Sequence, residues 1–455
     1  MTKKNRVRAI ASVSAVAMLA LSGCGSSSNN ESASNVIDYW LWDPAQQVAY
    51  EKCAADFNEK NPDLQVKITQ YGWNDYWQLL TAGFIADTGP DAFTNHVSQY
   101  PQFVDLDVIE PLDDYQPTAA VDTNEFQDGL TQLWTGQDGK MYGMPKDWDT
   151  IAAFYNPEMI KEAGFTDEQL DNWNWNPQDG GSFEDIIAHL TIDENGVRGD
   201  EPGFDKNNVK VYGLGINDPG GGTFGQGQWA AFAASNGWQS AYQLSWGDRY
   251  QFDDPKLQET IDWYFGLVDK GYMPAFGQFN SSDGVVNQLL NKNVAVAFDG
   301  SWMNATYAAG DMKLGTASYP TGPNGTAPSM INGLGDSIAA NSDNKEGAAK
   351  WVAYMASSDC QTKIAEEGVV FPSRKDATEV AAKSFEDMGI QVDAFQEPVE
   401  ANQTFQFPIT HNGPDVRALL TPAFEDIYAN RVPASTLTET NDAINVIFET
   451  SAENQ

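Results

Sequence analysis

The amino-acid sequence predicts an α/β protein whose sheets are covered by helices. The chain has 455 residues, which is enough for two or three domains with ample cores. Aromatic residues make up 12% and charged residues only 20%, a composition too apolar for a disordered acidic chain. The first hundred residues alternate strand-like and helix-like segments, and this alternation is typical of α/β proteins.

Short segments with recurring apolar side chains predict the strands. Residues 37–41 and 64–68 alternate between apolar and polar side chains, as half-buried strands do. Residues 91–94 form a short apolar run after a Gly-Pro pair, and residues 294–298 form another. We expect these four segments to lie in the sheets.

Helix capping residues follow the predicted strands. Asp43 is suited to be the N-cap of a helix with Pro44 in its first turn, and Asn74 or Asp75 can cap a second helix. Later helices are expected at residues 158–163, 183–190, 228–235, 255–270, 345–355 and 359–367.

The first residues have the pattern of an export signal. Four basic residues precede an apolar run at 9–21, and Leu-Ser-Gly-Cys, ending at Cys24, resembles a bacterial lipobox. We therefore expect a signal peptide at 1–23, and a lipidated Cys24 with a flexible tether at 24–35, on the extracytoplasmic face of the cell membrane. An ordinary signal peptide with an incidental cysteine is the alternative. No later segment approaches the ~20 apolar residues of a membrane helix.

The chain is strongly acidic, with 26 Lys+Arg against 64 Asp+Glu and a net charge of −38. This charge argues against nucleic acid, because phosphate binding depends on basic side chains. It also argues against adhesion to anionic lipid headgroups, so we expect membrane attachment through the lipid anchor only.

Catalytic and metal-binding motifs are absent from the sequence. The histidines at 96, 189 and 411 are far apart, and neither His-Glu-x-x-His nor Cys-x-x-Cys occurs, so a zinc enzyme is not expected. We expect no enzymatic activity and no cofactor. One acidic segment has several side-chain oxygens that could bind Ca²⁺, but the spacing of its acidic residues is not that of an EF-hand. An acidic surface loop is the preferred interpretation. Its candidate ligands are Asp193, Asn195, Asp200 and Asp205.

Tryptophans lie where predicted strands meet loops. The chain has 14 Trp, of which Trp42, Trp73, Trp148 and Trp302 hold such positions. Ligands of open α/β sheets bind beyond the carboxyl ends of strands, where an indole face can pack on the apolar face of a sugar ring. A buried core position is the alternative for each of them, and also for Trp229.

Cys53 and Cys360 remain after the predicted cleavage. An even pair in an exported protein fits one disulfide, whereas two buried thiols fit the sequence equally well.

Several ordered motifs together resemble the bacterial extracellular solute-binding proteins of ABC sugar importers, the maltose-binding-protein-like group. The matching pieces are the lipobox and residues 39–43, 57–62, 89–93, 139–145, 154–156, 294–302 and 369–374. The cysteine pair resembles a feature of an actinobacterial-type subgroup, which favours the disulfide. The Asn74-Asp75 pair and residues 173–208 depart from the maltose-binding prototype.

The resemblance implies a two-lobed type II periplasmic-binding-protein fold, with a hinge and a ligand cleft between the lobes. Lobe 1 would hold residues 36–145 and 296–350, and lobe 2 residues 146–295 and 351–455. The ligand-contacting positions would be Trp42, Trp73, Asn95, Asp147, Trp148, Trp229, Trp302 and Arg374.

The implied function is a lipid-anchored, monomeric receptor that delivers a mono- or oligosaccharide to the permease subunits of an ABC importer. The alternatives are a secreted glycoside hydrolase, a surface lectin, or the same scaffold carrying a non-sugar solute.

Overall fold

The computed structural model describes residues 35–216, 218–279, 284–310 and 312–453. The predicted signal peptide, the predicted lipidation site at Cys24 and all but the last residue of the predicted tether lie outside these ranges. Within them, no helix is long and apolar enough to cross a membrane.

The strands of the described residues are short, and most of them belong to two sheets. They are β1 Val36–Leu41, β2 Gln65–Gln70, β3 Ala92–Asn95, β4 Met144–Pro145, β5 Asp147–Trp148, β6 Ile151–Tyr155, β7 Ile192–Asp193, β8 Val209–Leu214, β9 Val294–Gly300, β10 Gly315–Ala317, β11 Ser329–Ile331, β12 Gly335–Ile338, β13 Phe371–Pro372 and β14 Thr404–Gln406. The four strands predicted from the sequence are confirmed as β1, β2, β3 and β9.

Each of the two main sheets has five strands. The first has the order β2-β1-β3-β12-β4, with β1 parallel to both neighbours and β12 antiparallel to β3 and β4. The second has the order β10-β6-β9-β8-β7, with β8 parallel to β9 and the other pairs antiparallel. The predicted α/β fold is confirmed, and each sheet with the helices packed on it forms one lobe.

Helices cover both sheets. They are α1 Pro44–Lys60, α2 Trp73–Ala86, α3 Tyr100–Asp105, α4 Gln116–Ala119, α5 Leu130–Leu133, α6 Pro157–Glu162, α7 Asp167–Asp171, α8 Gly181–Leu190, α9 Ala230–Ser235, α10 Pro255–Lys270, α11 Val285–Leu290, α12 Asn304–Ala308, α13 Lys345–Met355, α14 Ser358–Glu367, α15 Lys375–Asp387, α16 Asp393–Glu400, α17 Gly413–Asn430 and α18 Leu437–Glu453. The predicted helices are confirmed, with ends that shift by up to two residues.

The two predicted N-caps have different outcomes. Asp43 caps α1, because its carboxylate accepts hydrogen bonds from the amides of Ala45 and Gln46 at 2.7 and 3.1 Å. The predicted cap of α2 is wrong, since Gly72 is the N-cap and makes no side-chain hydrogen bond there. Asp75 instead lies in the first turn of α2, where a negative charge is favourable beside the helix dipole.

Two of the three segments that cross between the lobes run side by side. Residues 146–150 lead from β4 to β6, and residues 332–334 lead from β11 to β12. Asp149 and Asn332 exchange two backbone hydrogen bonds of 2.9 and 3.1 Å, and β13 pairs with β5 beside them. These two crossing segments form the hydrogen-bonded centre of the hinge, and the chain crosses a third time after residue 370, before α16 packs on the second sheet.

The predicted lobe boundaries need correction at two places. Residues 296–331 carry the end of β9, as well as β10, and belong to the second sheet, because β9 runs antiparallel along β6 before the chain crosses back at 332–334. Residues 351–370 belong to lobe 1, because α14 packs on α1 and buries Ile364 in the same core as Ile37.

A disulfide joins Cys53 of α1 to Cys360 of α14. The implied cysteine pair is thus confirmed. Both cysteines are fully buried in the core of lobe 1, so the bond ties the N-terminal part of this lobe to the segment that returns to it more than 300 residues later.

Candidate functional site

A large cleft separates the lobes, with a cavity volume of about 1440 Å³. Lobe 1 contributes the end of β1 and one face of α2, and lobe 2 contributes α12, α17 and the loop after β8. The crossing segments lie at its floor through Asp147, Asp149, Asn332 and Leu334. The cleft therefore lies where the ends of strands from both sheets meet, as expected for an open α/β architecture.

Tryptophans form the wall on lobe 1. Trp42 directly follows β1, and its ring centroid lies 5.1 Å from that of Trp73 and 5.2 Å from that of Trp77. Trp73 and Trp77 are one helical turn apart on α2, with their rings edge to face at 5.4 Å. Trp73 is 45% exposed, so a broad aromatic surface is open to a ligand.

The wall on lobe 2 contains one tryptophan and several polar side chains. Trp302 lies two residues after the end of β9, whereas Trp42 is the first residue after β1. Around it the cleft is lined by small polar side chains and one guanidinium, namely Thr223, Gln226, Thr306, Thr421 and Arg417. Three tryptophans of lobe 1 thus face a wall with several hydrogen-bonding groups, and lobe 1 adds polar side chains of its own, among them Gln46, Gln70 and Gln99.

Two carboxyl groups lie in the floor of the cleft. Oδ1 of Asp147 accepts a hydrogen bond from the Leu334 amide at 2.8 Å, whereas its Oδ2 has no hydrogen-bond partner among the described residues. Burial raises the pKa of Asp147 to about 6, against the opposing effect of the neighbouring Lys146 charge. Burial also raises the pKa of Asp149 well above its usual range. Both carboxyls are therefore easier to protonate than in water.

His96 lines the cleft as an uncharged group. Burial lowers its pKa to about 3, and the nearby Arg417 guanidinium adds to this effect. Its Nε2 lies 3.0 Å from Nδ2 of Asn332, and its Nδ1 lies 2.8 Å from Oγ of Ser98. The imidazole therefore links lobe 1 to a crossing segment and is uncharged at neutral pH, with one N–H donor and one acceptor nitrogen.

Four of the predicted ligand-contacting residues line the cleft, and they come from both lobes and the floor. They are Trp42, Trp73, Asp147 and Trp302. The other four lie outside its lining.

Two of the misplaced residues are tryptophans held in the core. Trp148 is buried and stacks on Phe371 at 4.6 Å between ring centroids. Trp229 is fully buried, stacks on Phe424 at 4.8 Å, and donates from Nε1 to the carbonyl of Pro219. Side chains alternate across a strand, so Trp148 faces away from the cleft when Asp147 faces it.

The other two misplaced residues are engaged elsewhere. Asn95 is fully buried, where its Nδ2 donates to Oγ of Ser337 at 3.0 Å and its Oδ1 accepts from the next amide. Arg374 forms ion pairs with Asp376 at 3.0 Å and with Glu125 at 3.6 Å. These contacts position loops and leave neither side chain free for a ligand.

Several cleft residues were missed by the sequence analysis. Trp77 could have been found, because it lies one helical turn after Trp73 on the same face of α2. The others come from helices and loops whose place beside the cleft depends on the tertiary fold, and they include Gln46, Gln99, Gln226, Asn332 and Arg417.

The acidic segment proposed for Ca²⁺ is an internally bonded loop. Asp193 accepts hydrogen bonds from the amides of Asn195 and Asp205 at 2.8 and 2.9 Å, and Asp200 pairs with His189 at 2.9 Å. Among the described residues, no group of three or more His, Cys, Asp or Glu is arranged to hold a metal ion. The Ca²⁺ candidate is therefore not supported.

Two α/β lobes joined by a hydrogen-bonded hinge around a lined cleft define a two-lobed, type II solute-binding protein. The chain belongs to the bacterial extracellular solute-binding protein family, whose sequence profile matches residues 52–389.

Relatives and solved structures agree with this assignment. The chain is 26% identical over 408 residues to the maltodextrin-binding protein of Bacillus subtilis strain 168, covering 87% of this chain and 85% of that one. It is 25% identical over 160 residues to the arabinooligosaccharide-binding protein of the same organism, only about a third of either chain. An ABC substrate-binding protein from Listeria monocytogenes, solved with cycloalternan, superposes with a TM-score of 0.76 at 17% identity, covering 91% of this chain and 99% of that one.

Proposed function

We propose that this protein is an extracytoplasmic receptor that binds an oligosaccharide between its lobes and delivers it to the permease subunits of an ABC importer. The observation that carries the proposal is the cleft itself, in which a wall of three tryptophans on lobe 1 faces the polar wall of lobe 2. Sugar rings present apolar faces and polar edges, and this pairing of walls is complementary to them. The ligands named for the relatives above, maltodextrin, arabinooligosaccharide and cycloalternan, are all saccharides.

The size of the cleft favours a ligand of several rings. A volume of about 1440 Å³ exceeds the ~300–1,000 Å³ of ordinary small-molecule pockets. Buried polar groups of its floor are suited to bind hydroxyls: the pKa of about 3 keeps His96 neutral, and the Asp147 carboxyl, with a pKa of about 6, can accept hydrogen bonds.

Binding would use closure of the lobes about the crossing segments. A ligand that touches both walls binds the closed arrangement more tightly than the open one, and this difference shifts the population toward closure. Trp42, Trp73, Asp147 and Trp302 would contact the ligand. We further propose that Cys24 carries the lipid anchor after cleavage of the leader and that the mature protein acts as a monomer.

The glycoside hydrolase alternative has less support. Hydrolysis needs two carboxyl groups on either side of the scissile bond, whereas Asp147 and Asp149 lie on one crossing segment at the floor, and Asp43, which also lines the cleft, is engaged as the N-cap of α1. A surface lectin also has less support, because binding a sugar on one surface would need neither the lobe 2 wall of the cleft nor the hinge.

The test is a titration of the mature, unlipidated chain (residues 25–455) with a panel of neutral oligosaccharides, followed through tryptophan fluorescence. We expect a saturable change with one or a few sugars and no products after prolonged incubation. Product formation would favour a hydrolase. A folded protein that binds no saccharide but binds another solute would overturn the sugar assignment.

A further inference from the structure

Lobe 2 also touches lobe 1 directly outside the paired crossing segments. Nδ1 of His411 lies 2.7 Å from Oδ2 of Asp105 on α3, and its Nε2 lies 3.3 Å from Oε1 of Gln137. The indole Nε1 of Trp246 donates to the carbonyl of Thr135 at 3.0 Å. We call this contact between His411, Trp246, Asp105, Thr135 and Gln137 the latch.

The latch continues to the rim of the cleft. Arg417 of α17 lines the cleft and donates from Nη1 to the carbonyl of Ser98 in lobe 1 at 3.3 Å. Trp246 also packs edge to face on Tyr100 of α3, with ring centroids 5.7 Å apart. The contact thus combines side-chain hydrogen bonds with an aromatic pair.

The backbone of Trp246 is held in an uncommon conformation. Its φ is +58°, a left-handed value that bulky L-residues rarely adopt. Its amide donates to the carbonyl of Ile409, which fixes this turn to the segment that carries His411. Two chain segments of lobe 2 are therefore braced together where they meet lobe 1.

A glycine permits the close approach of the two lobes. Gly413, the first residue of α17, has a backbone conformation open to any L-residue, but a Cβ added to it would lie 2.9 Å from the carbonyl oxygen of Ser98. That oxygen belongs to lobe 1. A Cβ at residue 413 would therefore clash with lobe 1, whereas no atom of lobe 2 would lie as close to it.

We propose that the latch stabilises the contacting arrangement of the lobes and that this arrangement is the one competent to bind, so that residues which touch no ligand contribute to ligand affinity. The apparent dissociation constant of a ligand equals its intrinsic value divided by the fraction of protein in the competent state. Loss of the latch lowers that fraction by the same factor for every ligand. A residue that contacts the ligand has, by contrast, a different effect on each sugar.

The test compares Gly413→Ala with the matched control Gly266→Ala. Gly266 lies on α10 in lobe 2, and a Cβ there meets no atom within 4 Å. Small-angle scattering of the ligand-free proteins should give a larger radius of gyration for Gly413→Ala than for the wild type or the control. Trp246→Phe removes the indole N–H that donates to the carbonyl of Thr135 but keeps an aromatic ring at this position. This variant should also have a larger radius of gyration than the wild type.

The affinity measurement rests on the proposed function, whereas the scattering measurement does not. For every oligosaccharide that binds, we expect Gly413→Ala to raise the dissociation constant by one common factor of about ten, as for a tenfold loss of the competent state. An unchanged radius of gyration would overturn the latch even if no sugar binds. A larger radius with unchanged affinities, or losses that differ between sugars, would overturn its role in binding.

Discussion

Trp73 is the cleft residue whose contribution to binding is most easily isolated. It is 45% exposed, so truncating it removes little of the core. Stacking of an aromatic face is worth about 0.5–1.5 kcal/mol beyond the buried area. We expect Trp73→Ala to weaken sugar binding by about three- to tenfold with little change in melting temperature.

The control for Trp73 is Leu79→Ala on the same helix. Leu79 is 40% exposed and is not among the residues that line the cleft. Equal losses of affinity in the two variants, measured by titration calorimetry, would show that the aromatic wall is not the sugar surface.

Asp147 should make stability depend on pH. Burial raises its pKa from 3.8 to about 6, so the folded protein binds this proton more tightly than the unfolded chain does. The protonated carboxyl therefore adds to the free energy of unfolding. This contribution is fully present below about pH 4 and is lost as the pH rises through 6, and it amounts to at most about 3 kcal/mol. Asp147→Asn should remove this part of the slope of the unfolding free energy, measured in urea from pH 4 to pH 7. Identical slopes in the two proteins would contradict the burial argument.

At the residue scale, the ends of strands could be predicted from the sequence more accurately than the direction in which the side chains point. Trp42 and Trp302 were placed at the cleft because each lies within two residues of the end of a strand that the sequence predicts. The prediction that Trp229 contacts the ligand was wrong because the burial of this side chain depends on α17. Phe424 of that helix, almost 200 residues later in the chain, stacks on Trp229. Such long-range packing leaves no local signal.

At the scale of elements, the disulfide between α1 and α14 should stabilise lobe 1 without affecting the cleft. A bond that closes so long a loop typically contributes about 2–4 kcal/mol. We expect the Cys53→Ala/Cys360→Ala double variant to lose about this much unfolding free energy in denaturant titrations. Neither cysteine lines the cleft, so the sugar affinity should not change.

Reduction of the wild-type protein provides the control for that variant. Dithiothreitol should lower the stability of the wild type to that of the double variant and leave the variant itself unaffected. A change in affinity that accompanies the loss of the bond would contradict the separation of core and cleft.

The same scale shows what the sequence could and could not predict about the fold. Helices with a strong start signal, such as Asp43-Pro44 at α1, were predicted with small errors because capping is local. The lobe boundaries were partly wrong because a strand's sheet is decided by its partners, and β9 pairs with β6, about 140 residues earlier in the chain. Nothing within residues 294–300 identifies that partner.

At the scale of the whole molecule, the protein combines two lobes, a hinge at the crossing segments and a cleft that has aromatic and polar side chains on facing walls. Aromatic side chains supply the surface on which a sugar ring packs, and the polar wall supplies its hydrogen bonds. An unmatched buried polar group costs about 1–3 kcal/mol, so the polar groups of lobe 2 and the floor would select among stereoisomers.

The central claim is that one ligand engages both lobes at the same time. Hydrogen–deuterium exchange of the mature chain, with and without a saturating oligosaccharide, tests this most directly. We predict slower exchange at residues 42–46 and 73–82 of lobe 1, at 223–226 and 302–306 of lobe 2, and at the crossing segments. Protection confined to one lobe, or located away from the cleft, would contradict the account.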